Sequence, residues 1–377
     1  MPLFLVTFYG VLYPDEGDDT DLDGRGDLNM STQDERATGR VSPSVAMLQI
    51  MTGFRVSRAT YVAAKLGIAD LLKDGAKSSD ELAHLTNTHA PSLYRVMRAL
   101  TSAGVFGQDE QGRFTLTPVA ATLRSDVPNS LRALAIANLG EERYQAWGDL
   151  MHSVRTGEIA FNHAFGMGLW EYYAQHPEQA KLFDESMANI IAATNAAVLI
   201  AYPFSTIDTL VDVGGGNGSF IVSALRANPR MRGVLFDLPH VAEQARKRIA
   251  DAGMAERCEI IGGDILASVP GGGTVYILSQ VIHDWDDDHS IAILKSCQRA
   301  MKNKGELLIV ERILPARAEQ SVVLQRAFML DLAMMAMTGG RERTEAEYRA
   351  LLDAAGFRVT KVFPTQSEMS VVECVPV

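Results

Sequence analysis

Positive charge is scarce in this chain. Thirty-five Lys and Arg stand against 46 Asp and Glu in 377 residues, a formal net charge of −11. That balance argues against a general affinity for nucleic acid or for an anionic membrane surface, both of which need a basic face. Cysteine is nearly absent. Cys258, Cys297 and Cys374 are odd in number and far apart, which argues against a disulfide framework and suits a reducing, cytoplasmic location. No Cys/His group has metal-ligand spacing, so no metal is expected. No apolar run reaches the length of a membrane-spanning helix. What remains, 47% hydrophobic and 21% charged, is the composition of an ordinary globular protein long enough for two domains.

The first residues, MPLFLVTFYGVLY, are apolar but lack a basic flank, and an acidic run, Asp15–Asp27, follows without a small-residue cleavage site. Residues 1–40 are expected to form a disordered extension, with Met30 as an alternative start. Residues 41–195 read as a mostly helical domain. Val45–Leu72 has a helical period. Ser79 opens SDELAHL, a capped-helix pattern. A second helix spans Pro91–Ala103, with Pro91 in its first turn and Gly104 at its end. Val105–Phe106, the turn Asp109–Gly112 and Phe114–Leu116 predict a short hairpin. Helix, turn, helix and hairpin together make a winged helix. Its second helix offers only Arg95 and Arg98, and its wing carries Asp109 and Glu110, too few bases for a DNA reader. A structural or dimerisation module is the better reading. Leu131–Tyr202 is helical again, with an aromatic patch at Phe161–Tyr173.

Residues 196–377 change pattern. Apolar strands at Leu210–Val213, Val234–Phe236, Glu259–Ile261, Thr274–Leu278 and Glu306–Val310 alternate with helices, predicting an α/β fold with a doubly wound parallel sheet. Arg358–Phe363 and Met369–Cys374 look like a closing antiparallel pair. The first strand runs into Gly214, Gly216 and Gly218, and Ser219 is expected to cap the helix that follows. Glycines let the backbone turn and approach a ligand closely. Asp237 ends the second strand, where a nucleotide-binding sheet meets ribose hydroxyls. A dinucleotide fingerprint needs its last glycine at 219, where this chain has Ser219. The loop therefore points to S-adenosylmethionine, which has no pyrophosphate, and away from a nicotinamide dehydrogenase.

His283, in SQVIHDW, follows the fourth strand, so topology brings it near the cofactor. It is a candidate general base or, alternatively, a capping or core histidine. Glu311, at the end of the fifth strand, and Glu342, in GGRERT, could orient that base. Alternatively they are a strand-end ion pair and a helix-terminal acid. Asp264, in GGDIL, could accept from an adenine amino group with Ile265 on the ring, or simply close an Asx-turn. The methionines of Met329–Met337 could wall a flat pocket with Phe161, Phe165 and Trp170, or fill a helix core.

In order, LVDVGGGNG, FDLPHV, GGDIL, HDWDDDH, IVERILP and GGRERTEAEY resemble the small-molecule O-methyltransferases of the caffeate, flavonoid and acetylserotonin type, with bacterial relatives in pigment and antibiotic pathways. The resemblance covers roughly 45–377. It implies a winged-helix dimerisation domain, hence a homodimer, joined to a Rossmann-like methyltransferase sheet. It implies Gly214 and Gly216 at S-adenosylmethionine, Asp237 at its ribose, and Asp264 with Ile265 at its adenine. His283 would be the base, flanked by Glu311 and Glu342, with Met334 on the ring of a small hydroxylated, aromatic or polycyclic acceptor. FNHAFGMGLWEYY, with Phe161, Phe165 and Trp170, resembles the family's substrate wall. At Ser279 the plant enzymes often carry a lysine that contacts the cofactor; here a serine stands in the cofactor site. Two other functions are weighed against methyl transfer: decarboxylation or hydroxylation with bound S-adenosylmethionine, as in some relatives, and a winged-helix ligand-sensing regulator.

Overall fold

Ser42 accepts the amide of Val45 and Pro43 occupies the first turn, so the first helix, Pro43–Lys65, begins where backbone donors would otherwise be open. The structure, a computed structural model, describes residues 42–302 and 304–377. The expected extension 1–40 lies outside them. Two compact units divide between Ser125 and Asp126.

In the first unit, Gly67 is left-handed, with φ 66°, and separates Pro43–Lys65 from the short helix Ile68–Leu71. Ser78 and Glu81 form a reciprocal capping box on helix Ser79–Thr86. Helix Ala90–Ser102 follows, and Gly107–Gln108 pairs antiparallel with Phe114–Thr115. Leu72, Leu82, Leu93, Met97, Leu100, Phe106 and Phe114 make the core. This is the expected helix, turn, helix and hairpin. Helix Pro43–Lys65 leaves Ile50, Met51 and Phe54 at least half exposed.

The second unit begins with short helices and the long helix Pro177–Ala201, which packs on helices Arg132–Asn138 and Ser219–Ala227. The expected boundary between 195 and 196 falls inside that helix. The helices of 126–201 therefore belong with the sheet, because Val198, Tyr202 and Phe204 enter its core. The Tyr202 hydroxyl donates to Glu306 Oε2 at 2.7 Å.

The strands of the large sheet are β1 (Thr209–Val213), β2 (Arg232–Asp237), β3 (Cys258–Gly262), β4 (Val275–Ser279), β5 (Glu306–Glu311), β6 (Phe357–Pro364) and β7 (Ser370–Pro376). Their order is 6-7-5-4-1-2-3. β1 to β5 are parallel, and β6 and β7 close one edge antiparallel. Two apolar layers cover the faces, one including Leu210, Leu235, Ile277 and Leu308, the other Val211, Phe236, Tyr276 and Leu307. Strands buried on both faces are continuous apolar runs, as here. The strand order reverses between β1 and β4, so a crevice opens at their carboxyl ends.

Candidate active site

The glycine loop leaves β1 with three left-handed residues, Gly214, Gly216 and Gly218, at φ 71°, 55° and 78°. A Cβ on Gly214 would lie 2.8 Å from Val281 Cγ2, whereas one on Gly216 would meet nothing within 4 Å. The loop is held from β2. Gly214 N–H donates to the Phe236 carbonyl at 2.8 Å, and Gly216 N–H to Asp237 Oδ2 at 2.8 Å. Leu238 N–H donates to Asp237 Oδ1 at 2.7 Å. Burial raises the Asp237 pKa, and these two amides oppose the shift. Each carboxylate oxygen keeps accepting capacity for a hydroxyl donor.

Asp264 is exposed and closes an Asx-turn through Leu266 N–H at 2.9 Å, with Ile265 half-buried beside it. Ser279 ends β4, half-buried and paired with Val310 of β5. Beneath the loop, Asp212 is buried with Oδ2 lacking a hydrogen-bond partner. Burial and the nearby Asp237 push its pKa up to about 7. The loop, the open space at Gly216 and an acceptor-only carboxylate at the end of β2 fit an adenosyl cofactor.

His283 sits in a 3₁₀ turn, Ile282–Asp284, after β4. Glu311, the last residue of β5, holds that turn. Its Oε1 accepts the amides of Val281, Ile282 and His283 at 3.0, 2.9 and 3.3 Å. Its Oε2 lies 3.5 Å from His283 Nδ1. Glu342 Oε1 lies 3.3 Å from the same nitrogen and also accepts from Arg312 at 3.3 Å. The Glu342 amide is tied to Asp331 Oδ1 at 2.8 Å. On the other ring nitrogen, Nε2, Asp284 Oδ1 stands 3.8 Å away. The imidazole is 12% exposed and both glutamates are fully buried. Burial alone would lower the His283 pKa, but Glu311, Asp284 and Glu342 outweigh it and raise it to about 10. Burial also raises the Glu311 carboxyl, with the charge of His283 opposing.

Several supporting residues gave no signal in the sequence. Arg343 is almost wholly buried and donates to the Ile282 and Trp285 carbonyls at 3.1 and 2.9 Å and to Asp287. Arg341 N–H donates to the His283 carbonyl at 2.9 Å. A Cβ on Gly340 would overlap that same carbonyl. The three ligand-type atoms of His283, Glu311 and Glu342 lie within 4.8 Å of one another. These are the three residues expected from the sequence to act together, and the structure brings them to one place from separate segments. Arg312 places a positive charge on Glu342 at 3.3 Å.

Phe161 and Phe165 stack at 4.6 Å, with Tyr172 edge-on to both. Phe161 is fully buried, in one core with Tyr173, Ala336 and Met337. Phe165 and Met334 are half-buried. Trp170 is 48% exposed and packs on Tyr173 and Phe183. Among the described residues no ring contact joins it to Phe161 or Phe165. Trp170 connects to Phe165 through Tyr173 and Tyr172, and the fully buried Phe161 stands behind Phe165 as support.

The comparisons with known proteins agree with this geometry. An O-methyltransferase dimerisation domain matches residues 48–126 and an O-methyltransferase domain matches 147–358. The phenazine O-methyltransferase PhzM of Lysobacter antibioticus is 47% identical over 346 residues, covering 92% of this chain and 100% of its own. The mitomycin biosynthesis 6-O-methyltransferase of Streptomyces lavendulae is 34% identical over 340 residues, covering 89% and 95%. Among solved structures, the O-methyltransferase NcsB1 from neocarzinostatin biosynthesis, in complex with S-adenosylmethionine and 2-hydroxy-5-methyl naphthoic acid, has a TM-score of 0.78. It is 31% identical, over 85% of this chain and 96% of its own. With a glycine loop suited to an adenosyl cofactor beside a buried imidazole, the chain belongs to the O-methyltransferase family and is an S-adenosylmethionine-dependent O-methyltransferase.

Proposed function

We propose that His283 is the general base that takes the hydroxyl proton from a small aromatic or polycyclic acceptor, with Glu311 and Glu342 fixing its orientation. The observation that carries this reading is the placement of His283 Nδ1 at 3.5 and 3.3 Å from two buried carboxylates. Such a pair holds the Nδ1 proton, stabilises imidazolium and leaves Nε2 to accept. S-adenosylmethionine, when bound, supplies a methyl on a sulfonium, an electrophile that needs no covalent help from the protein.

Gly214, Gly216 and Asp237 would hold that cofactor, with Asp264, Ile265 and Ser279 around its adenosyl group. The chain's remaining task is to align an acceptor oxygen and to exclude water. Phe165, Met334 and Trp170 would contact the acceptor ring. A phenol, with a pKa of about 10, gives up its proton far more easily than an aliphatic alcohol, and the carboxylates around His283 raise the basicity of its imidazole. Phenazine, mitomycin and naphthoic acid, in the names of similar proteins, are all ring systems. The exposed apolar face of helix Pro43–Lys65 lies within the matched dimerisation domain and supports a homodimer. Three buried free cysteines suit the cytoplasm.

His283→Ala tests the assignment. It should lower kcat by roughly 10²–10⁴ while leaving cofactor affinity nearly unchanged. The loss should shrink for acceptors already ionised, and raising the pH toward the acceptor's pKa should restore part of the rate. Wild-type turnover at neutral pH would remove His283 from the chemistry.

A further inference from the structure

The 3₁₀ turn that carries His283 is held by both kinds of backbone group. Glu311 Oε1 accepts the amides of Val281, Ile282 and His283. The carbonyls go to the segment 340–343. Arg341 N–H donates to the His283 carbonyl at 2.9 Å. The Arg343 guanidinium donates to the Ile282 carbonyl at 3.1 Å and to the Trp285 carbonyl at 2.9 Å, one residue before His283 and two after it. The same fork reaches the start of the next helix, Asp287–Met301, through Asp287 Oδ1 at 3.0 and 2.8 Å and Ser290 Oγ at 3.3 Å. It also donates to the Arg341 carbonyl at 3.4 Å, and the buried Tyr348 hydroxyl is a further neighbour. All three nitrogens of the guanidinium are engaged, and two of them on the turn itself.

Arg343 is 1% exposed, and its counter-charge, Asp287, is 53% exposed. Such a pair is a poor source of stability, because well-packed apolar residues of similar volume often serve as well or better. Apolar side chains cannot donate to two carbonyls of one turn. A planar fork fixes the spacing of the groups it binds, which a flexible ammonium does not. We propose that Arg343 is a positioning residue for the base: by holding the Ile282 and Trp285 carbonyls it sets where His283 Nδ1 meets Glu311 and Glu342. This rests on the reading of His283 as the general base. The charged groups that face the imidazole are Glu311 from β5, Glu342 from the segment 340–343 and Asp284 from the turn, with Arg312 on the far side of Glu342. Arg343 meets the backbone of the turn and not the ring, so it acts through geometry.

Arg343→Lys tests this, because it keeps the charge and loses the fork. Two curves are measured. One is the titration of the His283 ring, by NMR of protein with labelled histidine, the signal being assigned by its absence in His283→Ala. The other is the pH profile of kcat/KM. With the turn loosened, the ring meets its two carboxylates less well and its protonated form is less favoured. Both the titration and the rising limb of kcat/KM should therefore move to lower pH, by one pH unit for each roughly tenfold loss of proton affinity. Turnover, kcat, should fall by about 10- to 100-fold, and S-adenosylmethionine binding, read by calorimetry, should be unchanged. A residue that only holds the fold together would lower the melting temperature and the active fraction and leave both curves in place; that result overturns the proposal. Should Arg343→Lys not fold, Asp287→Asn loosens the fork from its exposed partner: a smaller shift in the same direction supports the proposal, and unmoved curves overturn it. A His283 titration that moves while kcat and the kcat/KM profile do not would leave the positioning role standing and remove His283 as the base.

Discussion

Glu311 and Glu342 both face His283 Nδ1, but they act differently. Glu311 spends one oxygen on three backbone amides and so fixes where the histidine's own backbone lies. Glu342 divides its carboxylate between His283 and Arg312. The difference gives a pH test. The base works when neutral, and its neutral fraction grows as pH rises through its pKa. Glu342→Gln removes one of the charges that lift that pKa. The rising limb of kcat/KM against pH should therefore move to lower pH than in the wild type; a limb that stays put or moves up would mean that Glu342 does not act on the base. His283, Glu311 and Glu342 were legible as candidates because each stands at a strand end or beside a helix start. Arg343 was not, because GGRERT reads as an exposed polar turn until the loop after β4 folds over it. Asp264 was read two ways, and its Asx-turn is present in the structure, while an adenine contact remains compatible with its other oxygen.

At the scale of elements, strands were easy to place and short pairings were not. β1 was expected at Leu210–Val213 and runs Thr209–Val213; β5 was expected at Glu306–Val310 and runs Glu306–Glu311. Both are apolar runs buried on two faces and bounded by polar residues, the strongest local signal a strand gives. The two-residue pairing of Ile313–Leu314 with Arg343–Thr344 carries no periodicity and went unread. It matters nonetheless, since it draws the GGRERT segment alongside the exit of β5 and so brings Glu342 to Arg312 and His283. Helix Pro177–Ala201 shows the opposite failure. The change from helical to alternating pattern is real, but the helix runs six residues past the expected boundary and its end is part of the sheet's core. The aromatic patch was correctly seen as unusual. Its rings form one network, in which Tyr172 joins Phe161 and Phe165 to Tyr173, and Tyr173 meets Trp170 and Phe183.

For the whole molecule, the acidic charge and the sparse bases of the hairpin unit point away from DNA, and the apolar face of helix Pro43–Lys65 points to a second copy of the chain. Light scattering at micromolar concentration should give twice the chain mass; a monomer mass would mean that this face serves another partner. The chain moves a methyl group to an oxygen. The direct measurement incubates the protein with methyl-labelled S-adenosylmethionine and a panel of hydroxylated aromatic acids, phenols and their amino analogues, and locates the label by mass spectrometry and NMR. Label is expected on a ring hydroxyl oxygen, one equivalent for each S-adenosylhomocysteine formed. Label on nitrogen, or an acceptor that loses carbon dioxide or gains oxygen while the cofactor keeps its methyl, would contradict it.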